Sequence, residues 1–286
     1  MTDIEVLRER AKKIKLFASD LDGTLLDTKH LLSDETRRAL VTLSRKGIIV
    51  VVSTGRSRFS IPETVTSVEG LKYLITANGS KLFINGTDEL IFEKYLSAEA
   101  LDSVAHFFSD PEVLCEVFWD GVPHVESSKY NNARDYGIPM WFSDYFFLSR
   151  KPIDNFIKTI RENEKIIENI SFVVGTESVK DRVWNSLLEN SNIYELTSAF
   201  PFKYEIGSIG VSKGAAVDFI AKREGVLPEE TICFGDYYND LTMIEYAGIG
   251  IAVGNAASGI IAAADYVTDD NDNEGVVSAL KTLGMI

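Results

Sequence analysis

Asp20 and Asp22 close an apolar run, Lys15-Leu16-Phe17-Ala18-Ser19, that breaks at Gly23. Carboxylates at the end of a strand buried on both faces are costly to desolvate unless they are paired, hydrogen-bonded or bound to a metal. Two acids leaving one strand together point to a cation site; an ordinary Asp-X-Asp-Gly turn is the alternative. A third acid, Asp236, ends a second apolar run, Thr231-Ile232-Cys233-Phe234-Gly235, and Asn239 and Asp240 follow at a helix start. Thr54 and Gly55 follow the run Gly47 to Ser53, Asn78 follows Tyr73 to Ala77, and Lys213 opens a helix within Ser212-Lys213-Gly214. Oxygen ligands of this kind suit Mg²⁺, while a lysine and helix N-termini suit a phosphate.

These residues lie more than two hundred positions apart, so strands must bring them together. The run to Ser19, an amphipathic stretch with Ala39, Leu40 and Leu43 on one face, and the run to Ser53 form a βαβ pattern. That pattern implies parallel strands and a right-handed crossover. In a doubly wound parallel α/β sheet the C-terminal strand ends share one rim, where ligands bind. The rule gathers Asp20, Asp22, Thr54, Asn78 and Asp236 on that rim, with Lys213, Asn239 and Asp240 from helix starts. Further strands are read at Gly250 to Val253 and Tyr266 to Thr268, and a last helix through Val276, Val277, Leu280 and Leu283.

From about residue 82 the grammar changes. Lys81 to Asp88 reads as a strand entering an Asn-Gly hairpin turn. Beyond it, strands (114–119, 169–175, 203–207) alternate with amphipathic helices (98–109, 153–163, 178–190), an α+β pattern. The expected organisation is a core of residues 1–81 and 208–286 with an inserted α+β cap domain of residues 82–207. All three tryptophans fall in the insert, whose densest aromatic cluster is Trp141 to Phe147. Those aromatics form the insert's own core or stack on a flat substrate. Arg134 marks either a specificity loop or a solvated turn.

Composition narrows the partners. A net charge of -14 argues against nucleic acid or an anionic membrane as the main partner, and leaves a small anionic ligand open. Cys115 and Cys233 sit in apolar contexts and read as buried free thiols in a reducing compartment. The first fourteen residues alternate acids and bases without an apolar stretch, read as neither a secretory signal nor an element with a role. No apolar run reaches the length of a membrane span. A soluble cytoplasmic protein, monomeric or weakly homo-oligomeric, is expected.

The constellation resembles the haloacid dehalogenase superfamily of phosphohydrolases, in its Cof-type branch with a type IIB cap. Asp20-Leu21-Asp22-Gly23-Thr24-Leu25, Ser53-Thr54-Gly55-Arg56, Lys213 within Gly210 to Gly214, and Gly235-Asp236-Tyr237-Tyr238-Asn239-Asp240 match its four motifs in order. Asn78-Gly79-Ser80, Gly254-Asn255-Ala256 and Asn273-Glu274-Gly275-Val276 resemble further stretches of that branch. Tyr237-Tyr238 depart from the small or polar residues commoner there. The resemblance implies a nucleophilic Asp20 that forms an aspartyl-phosphate, and an acid–base Asp22 whose backbone carbonyl binds Mg²⁺. It implies Asp20 and Asp236 as metal ligands. Asn239 and Asp240 complete the metal shell or touch the phosphate, unless they merely cap a helix. Thr54 and the backbone at Leu21 and Gly55 donate to phosphoryl oxygens, and Lys213 sits over the charge, its alternative being a solvated surface lysine. His30, His106 and His124 have no metal-ligand spacing and receive no role. The implied activity is a Mg²⁺-dependent phosphatase acting on a small phosphorylated metabolite, a sugar phosphate or similar. A phosphomutase of similar core and cap, or a non-catalytic phospho-receiver, is the alternative.

Overall fold

The computed structural model describes residues 2–87 and 89–286; Asp88, the last residue of the run read as entering a hairpin, lies outside them. The chain divides into two compact units, Met1–Arg56 with Ile61–Phe92 and Ser212–Ile286, and Ser57–Ser60 with Glu93–Val211.

The first unit is built on an eight-stranded sheet in the order Tyr266–Val267, Ile249–Ala252, Thr231–Gly235, Leu16–Ser19, Ile49–Ser53, Leu71–Thr76, Lys81–Ile84, Glu89–Glu93. Strands from Tyr266–Val267 through Leu71–Thr76 pair in parallel. Alternate residues feed separate cores: Phe17, Val50, Val52, Leu74 and Phe234 pack on one face, Leu16, Ala18, Val51, Ile75 and Cys233 on the other. A sheet buried on both faces explains why these strands read as unbroken apolar runs instead of alternating ones. The helix Asp34–Arg45 starts where the Ser33 hydroxyl accepts the Thr36 N–H (2.9 Å) and buries Ala39, Leu40 and Leu43. Lys213–Glu224 starts at Ser212 and stops at Gly225, whose φ of 68° is the left-handed conformation glycine tolerates. From Leu16–Ser19 the chain winds outward one way, and it returns through Thr231–Gly235 on the other side. The order therefore reverses between these two neighbours, with Ser19 opposite Phe234, so Asp20 and Asp236 leave adjacent strands.

Two features differ from the sequence reading. Lys81–Ile84, expected to open the insert, pairs antiparallel with Leu71–Thr76, and Glu89–Glu93 extends the same sheet. Leu82 is fully buried in the core, with Ile84, Ile91 and Phe92 packed around it, so the compact first unit continues to Phe92, past the expected boundary at 82. On the return, the second unit runs to Val211, not 207. The opening residues, given no role, form the helix Ile4–Ala11, capped by Asp3, with Leu7 and Ala11 buried. Its apolar stripe is narrow and flanked by charges, which hides it from periodicity.

The second unit carries a six-stranded sheet in the order Tyr194–Phe200, Lys203–Ser208, Ile167–Val174, Val113–Trp119, Val122–Glu126, Lys151–Ile153. All neighbours pair antiparallel except the last two. One face packs with the helices Ala98–Val104, Phe156–Glu162 and Glu177–Leu188 around Phe107, Ile170 and Phe172. Part of the other face lies under the helix Met140–Ser149, whose Phe142 and Phe146 pack on Leu114, Val125 and Val173. Phe142 and Phe146 of the Trp141 to Phe147 cluster are thus core, whereas Trp141 is exposed. Arg134 donates to the Ser143 hydroxyl (3.1 Å). Cys115 and Cys233 are buried free thiols.

Because Leu7 is wholly buried, Leu7→Ala should lower unfolding free energy by about 2–5 kcal/mol. Urea denaturation of the two proteins measures it, and a loss below about 1 kcal/mol would mean the first helix is not packed into the core.

Candidate active site

At the rim of the core sheet one lysine organises three acids. Lys213, fully buried, donates to Asp20 Oδ1 at 2.5 Å and to Asp240 Oδ1 at 2.6 Å. The other Asp240 oxygen accepts the backbone N–H groups of Asp236 (2.9 Å) and Tyr237 (3.2 Å), fixing the turn after Gly235. Only glycine fits at 235, since a Cβ there would lie 2.4 Å from that of Asp240. Oxygens of Asp20, Asp236 and Asp240 all lie within 4.8 Å of one another. Burial pushes Asp20 above the usual carboxylate range; Lys213 opposes this, and the Asp240 and Asp22 charges add to it. Asp236 is raised well above that range by burial and by the charges of Asp20 and Asp240. Burial acts to lower Lys213, but its two carboxylates outweigh burial and hold it charged. Three clustered acids with one ammonium, paired to two of them, are under-neutralised, which is the condition a hard divalent cation relieves.

Asp22 is held apart from this cluster. Arg56 grips it with Nε 2.7 Å from Oδ2 and Nη2 2.5 Å from Oδ1, and His30 Nδ1 lies 3.3 Å from Oδ1. Burial alone would raise its pKa, yet hydrogen bonds from Arg56 and His30 hold it well below the usual range. Thr54 is nearby in the chain, its hydroxyl accepting the Arg56 N–H at 3.0 Å. Asn239 donates to Asn78 Oδ1 (3.1 Å), and a Cβ on Gly55 would lie 3.1 Å from the same oxygen. Leu21 is buried, with its carbonyl accepting from Leu25 and Leu26 (3.1 and 2.9 Å), so the backbone after Asp20 is locked. Gly23 has φ +80°, and a Cβ there would lie 2.6 Å from Asp236 Oδ2. Asn255 donates to the Gly23 carbonyl (2.8 Å) and Asn271 to that of Leu26 (2.9 Å), clamping this turn from the far end of the chain.

A protein-family model described as haloacid dehalogenase-like hydrolase matches residues 17–280. The chain belongs to this family. It is 31% identical to the Bacillus subtilis 5-amino-6-(5-phospho-D-ribitylamino)uracil phosphatase YcsE, over 94% of this chain and 95% of that one. It is 30% identical to phosphatase YwpJ of the same organism, over 94% of this chain and all of that one. Among solved structures it resembles a B. subtilis haloacid dehalogenase-like hydrolase (29% identity, 94% and 99% of the two chains, TM-score 0.83). It also resembles the subclass IIB sugar phosphatase BT4131 (26% identity, 95% and 100% of the chains, TM-score 0.79). Within the family the chain stands with the phosphatases.

The structure brings Asp20, Lys213, Asp236 and Asp240 into one cluster, with Thr24 donating to Asp236 at 3.3 Å. Asp22 turns its side chain to Arg56 and His30 instead. Sequence reasoning gave neither partner a role. Arg56 was visible two residues after Thr54, but no spacing rule joins it to an acid thirty-four residues earlier. His30 gave no signal, because its contact depends on a left-handed turn at φ 59°.

The depressed Asp22 pKa implies a stabilisation present above about 4, the unfolded value, and lost as pH falls through the lower folded value. Arg56→Met should therefore lower Tm most near neutral pH, with the deficit narrowing below about pH 4. Scanning calorimetry across that range measures it; a deficit independent of pH would assign Arg56 a packing role alone.

Proposed function

We propose that the protein is a Mg²⁺-dependent phosphatase that hydrolyses a small phosphorylated metabolite through an aspartyl-phosphate on Asp20. The observation that carries this reading is the buried Lys213 ammonium, shared by Asp20 and Asp240 beside the under-neutralised Asp236. Asp20 and Asp236, with the Asp22 backbone carbonyl, would hold the cation, and Asp240 would complete the shell. When bound, Mg²⁺ would offset the repulsion between the Asp20 carboxylate and an incoming phosphate.

An Asp20 oxygen attacks phosphorus, and the bond from phosphorus to the leaving oxygen breaks. Lys213, with the backbone at Leu21 and Gly55, Thr54 and Asn239, receives the phosphoryl charge. Asp22 protonates the leaving oxygen, then takes the proton from the water that cleaves the acyl-phosphate, restoring Asp20 and freeing phosphate. Arg56 and His30 favour the charged form of Asp22, the form that accepts a proton from water. To donate a proton, Asp22 has to leave the Arg56 fork. The substrates that two similar phosphatases are named for, a phosphoribitylaminouracil and a sugar phosphate, support a phosphorylated, hydroxyl-rich metabolite. The second unit, as a cap domain, would select it. Two buried free thiols fit a reducing cytoplasm.

Asp20→Asn should abolish phosphate release from every substrate, and EDTA should do so reversibly, with Mg²⁺ restoring it. Asp22→Asn should cost roughly 10²–10⁴-fold on substrates with poor leaving groups. With p-nitrophenyl phosphate, whose leaving group needs no proton, the loss should be smaller and a burst of p-nitrophenol should appear. Equal losses on both substrate types, without a burst and with weaker Mg²⁺ binding, would make Asp22 a side-chain metal ligand and refute its acid–base role.

A further inference from the structure

Ser53 ends the strand Ile49–Ser53, and its hydroxyl is sealed inside the first unit. The residue is 0% exposed, and its Oγ has no hydrogen-bond partner among the described residues. A hydroxyl buried without a partner is costly, so one kept in a core calls for an explanation. Its neighbour Thr54 differs, since that hydroxyl already accepts the Arg56 N–H at 3.0 Å.

Sheet register identifies what stands beside it. Ser19 lies opposite Val52 in the parallel ladder, so one step further Asp20 lies opposite Ser53. Side chains alternate between the two faces, and Ala18 and Val51 share one of the two cores. Asp20 and Ser53 therefore project to that face as well. Ile75, paired with Ser53 on its other side, belongs to the same core. The helix Lys213–Glu224 packs there through Ala216, Val217 and Ile220, and from its first turn Lys213 reaches Asp20 at 2.5 Å. Neighbouring strands lie about 4.8 Å apart, a separation that one serine rotamer change can close to a hydrogen bond.

We propose that Ser53 is a positioning residue for Asp20 in the second half of the reaction, hydrolysis of the aspartyl-phosphate. The role rests on the phosphatase reading. At rest Lys213 holds Asp20, and the Ser53 hydroxyl is idle. Once Asp20 carries the phosphoryl group, Lys213 turns to the phosphoryl charge, and the Ser53 O–H takes its place as donor to the Asp20 carboxyl group. A water oxygen then bonds to phosphorus while Asp22 takes the water proton. The bond from phosphorus to the Asp20 oxygen breaks, and its electron pair returns to Asp20 as a carboxylate. A hydrogen bond to a charged acceptor is stronger than one to a neutral acceptor, so the Ser53 bond tightens as that charge returns. Ser53 thus favours departure of Asp20 from phosphorus and contributes little to its attack.

Ser53→Ala tests this, with Ser53→Cys as a control of similar size whose thiol is a weak donor. Neither removes a hydrogen bond made at rest, so neither should lower Tm. With p-nitrophenyl phosphate and Mg²⁺, kcat should fall about tenfold in both, KM should fall with it, and kcat/KM should stay near the wild-type value. A burst of p-nitrophenol in stopped flow should mark the slowed second step. A kcat/KM that falls in step with kcat, an unchanged kcat, or a Cys variant that behaves as wild type would overturn the role. Should the wild type turn over no phosphate ester, the phosphatase reading fails, and the lifetime of protein phosphorylated with radiolabelled acetyl phosphate decides for Ser53. A longer lifetime in Ser53→Ala sustains its role; an equal lifetime, or no label, overturns it.

Discussion

A lysine ammonium with no access to water has to be matched by carboxylates, and the core site follows from that constraint. Lys213 lies between Asp20 and Asp240, fully buried, in the first turn of its helix, where the backbone dipole disfavours a cation. Its two acids reverse that preference. Removing the lysine would leave buried carboxylates without their counter-charge, which typically costs about 3–5 kcal/mol. The helix is also fixed at close range: a Cβ on Gly214 would lie 2.4 Å from the Thr242 carbonyl, while its N–H donates to the Thr242 hydroxyl at 3.0 Å. The lysine therefore couples the first strand, its own helix and the turn after Gly235.

The same constraint divides chemically identical residues. Asp20 and Asp22 are two positions apart, yet burial and neighbouring acids raise one while Arg56 and His30 lower the other. Opposite environments for a pair of titratable groups are what the proposed division into nucleophile and proton-transfer group requires. The arrangement also relies on left-handed backbone at two turns. Gly23 turns left-handed against Asp236, and Asn78 adopts φ 54° beside Gly55 and Asn239.

Charge is handled differently in the second unit. Glu116, Arg150, Lys203 and Glu205 neutralise one another within a single sheet face, and Arg150 also lies over the rings of Phe142, Tyr145 and Phe146. The core site carries an excess of acid, whereas on this face two carboxylates and two cations balance.

Most of the core was legible from the chain alone. Two-sided burial writes a strand as a continuous apolar run, and a parallel sheet puts every such run's polar end on one rim. That sufficed to place Asp20, Asp236, Lys213 and Asp240 together, and Ser212-Lys213-Gly214 announced a helix start. Whether Lys81–Ile84 joined the core or the insert was not legible, since an antiparallel edge strand reads alike in either sheet. Nor was the helix Ile4–Ala11, which buries only two residues. Tertiary structure alone decided the partners of Asp22, because a bidentate arginine and a histidine from a left-handed turn leave no periodic trace. It also decided the fate of the insert's charges. Glu116, Lys203 and Glu205 look like ordinary surface residues in the sequence, and become a buried network only because sheet register brings residues eighty-nine positions apart onto one face.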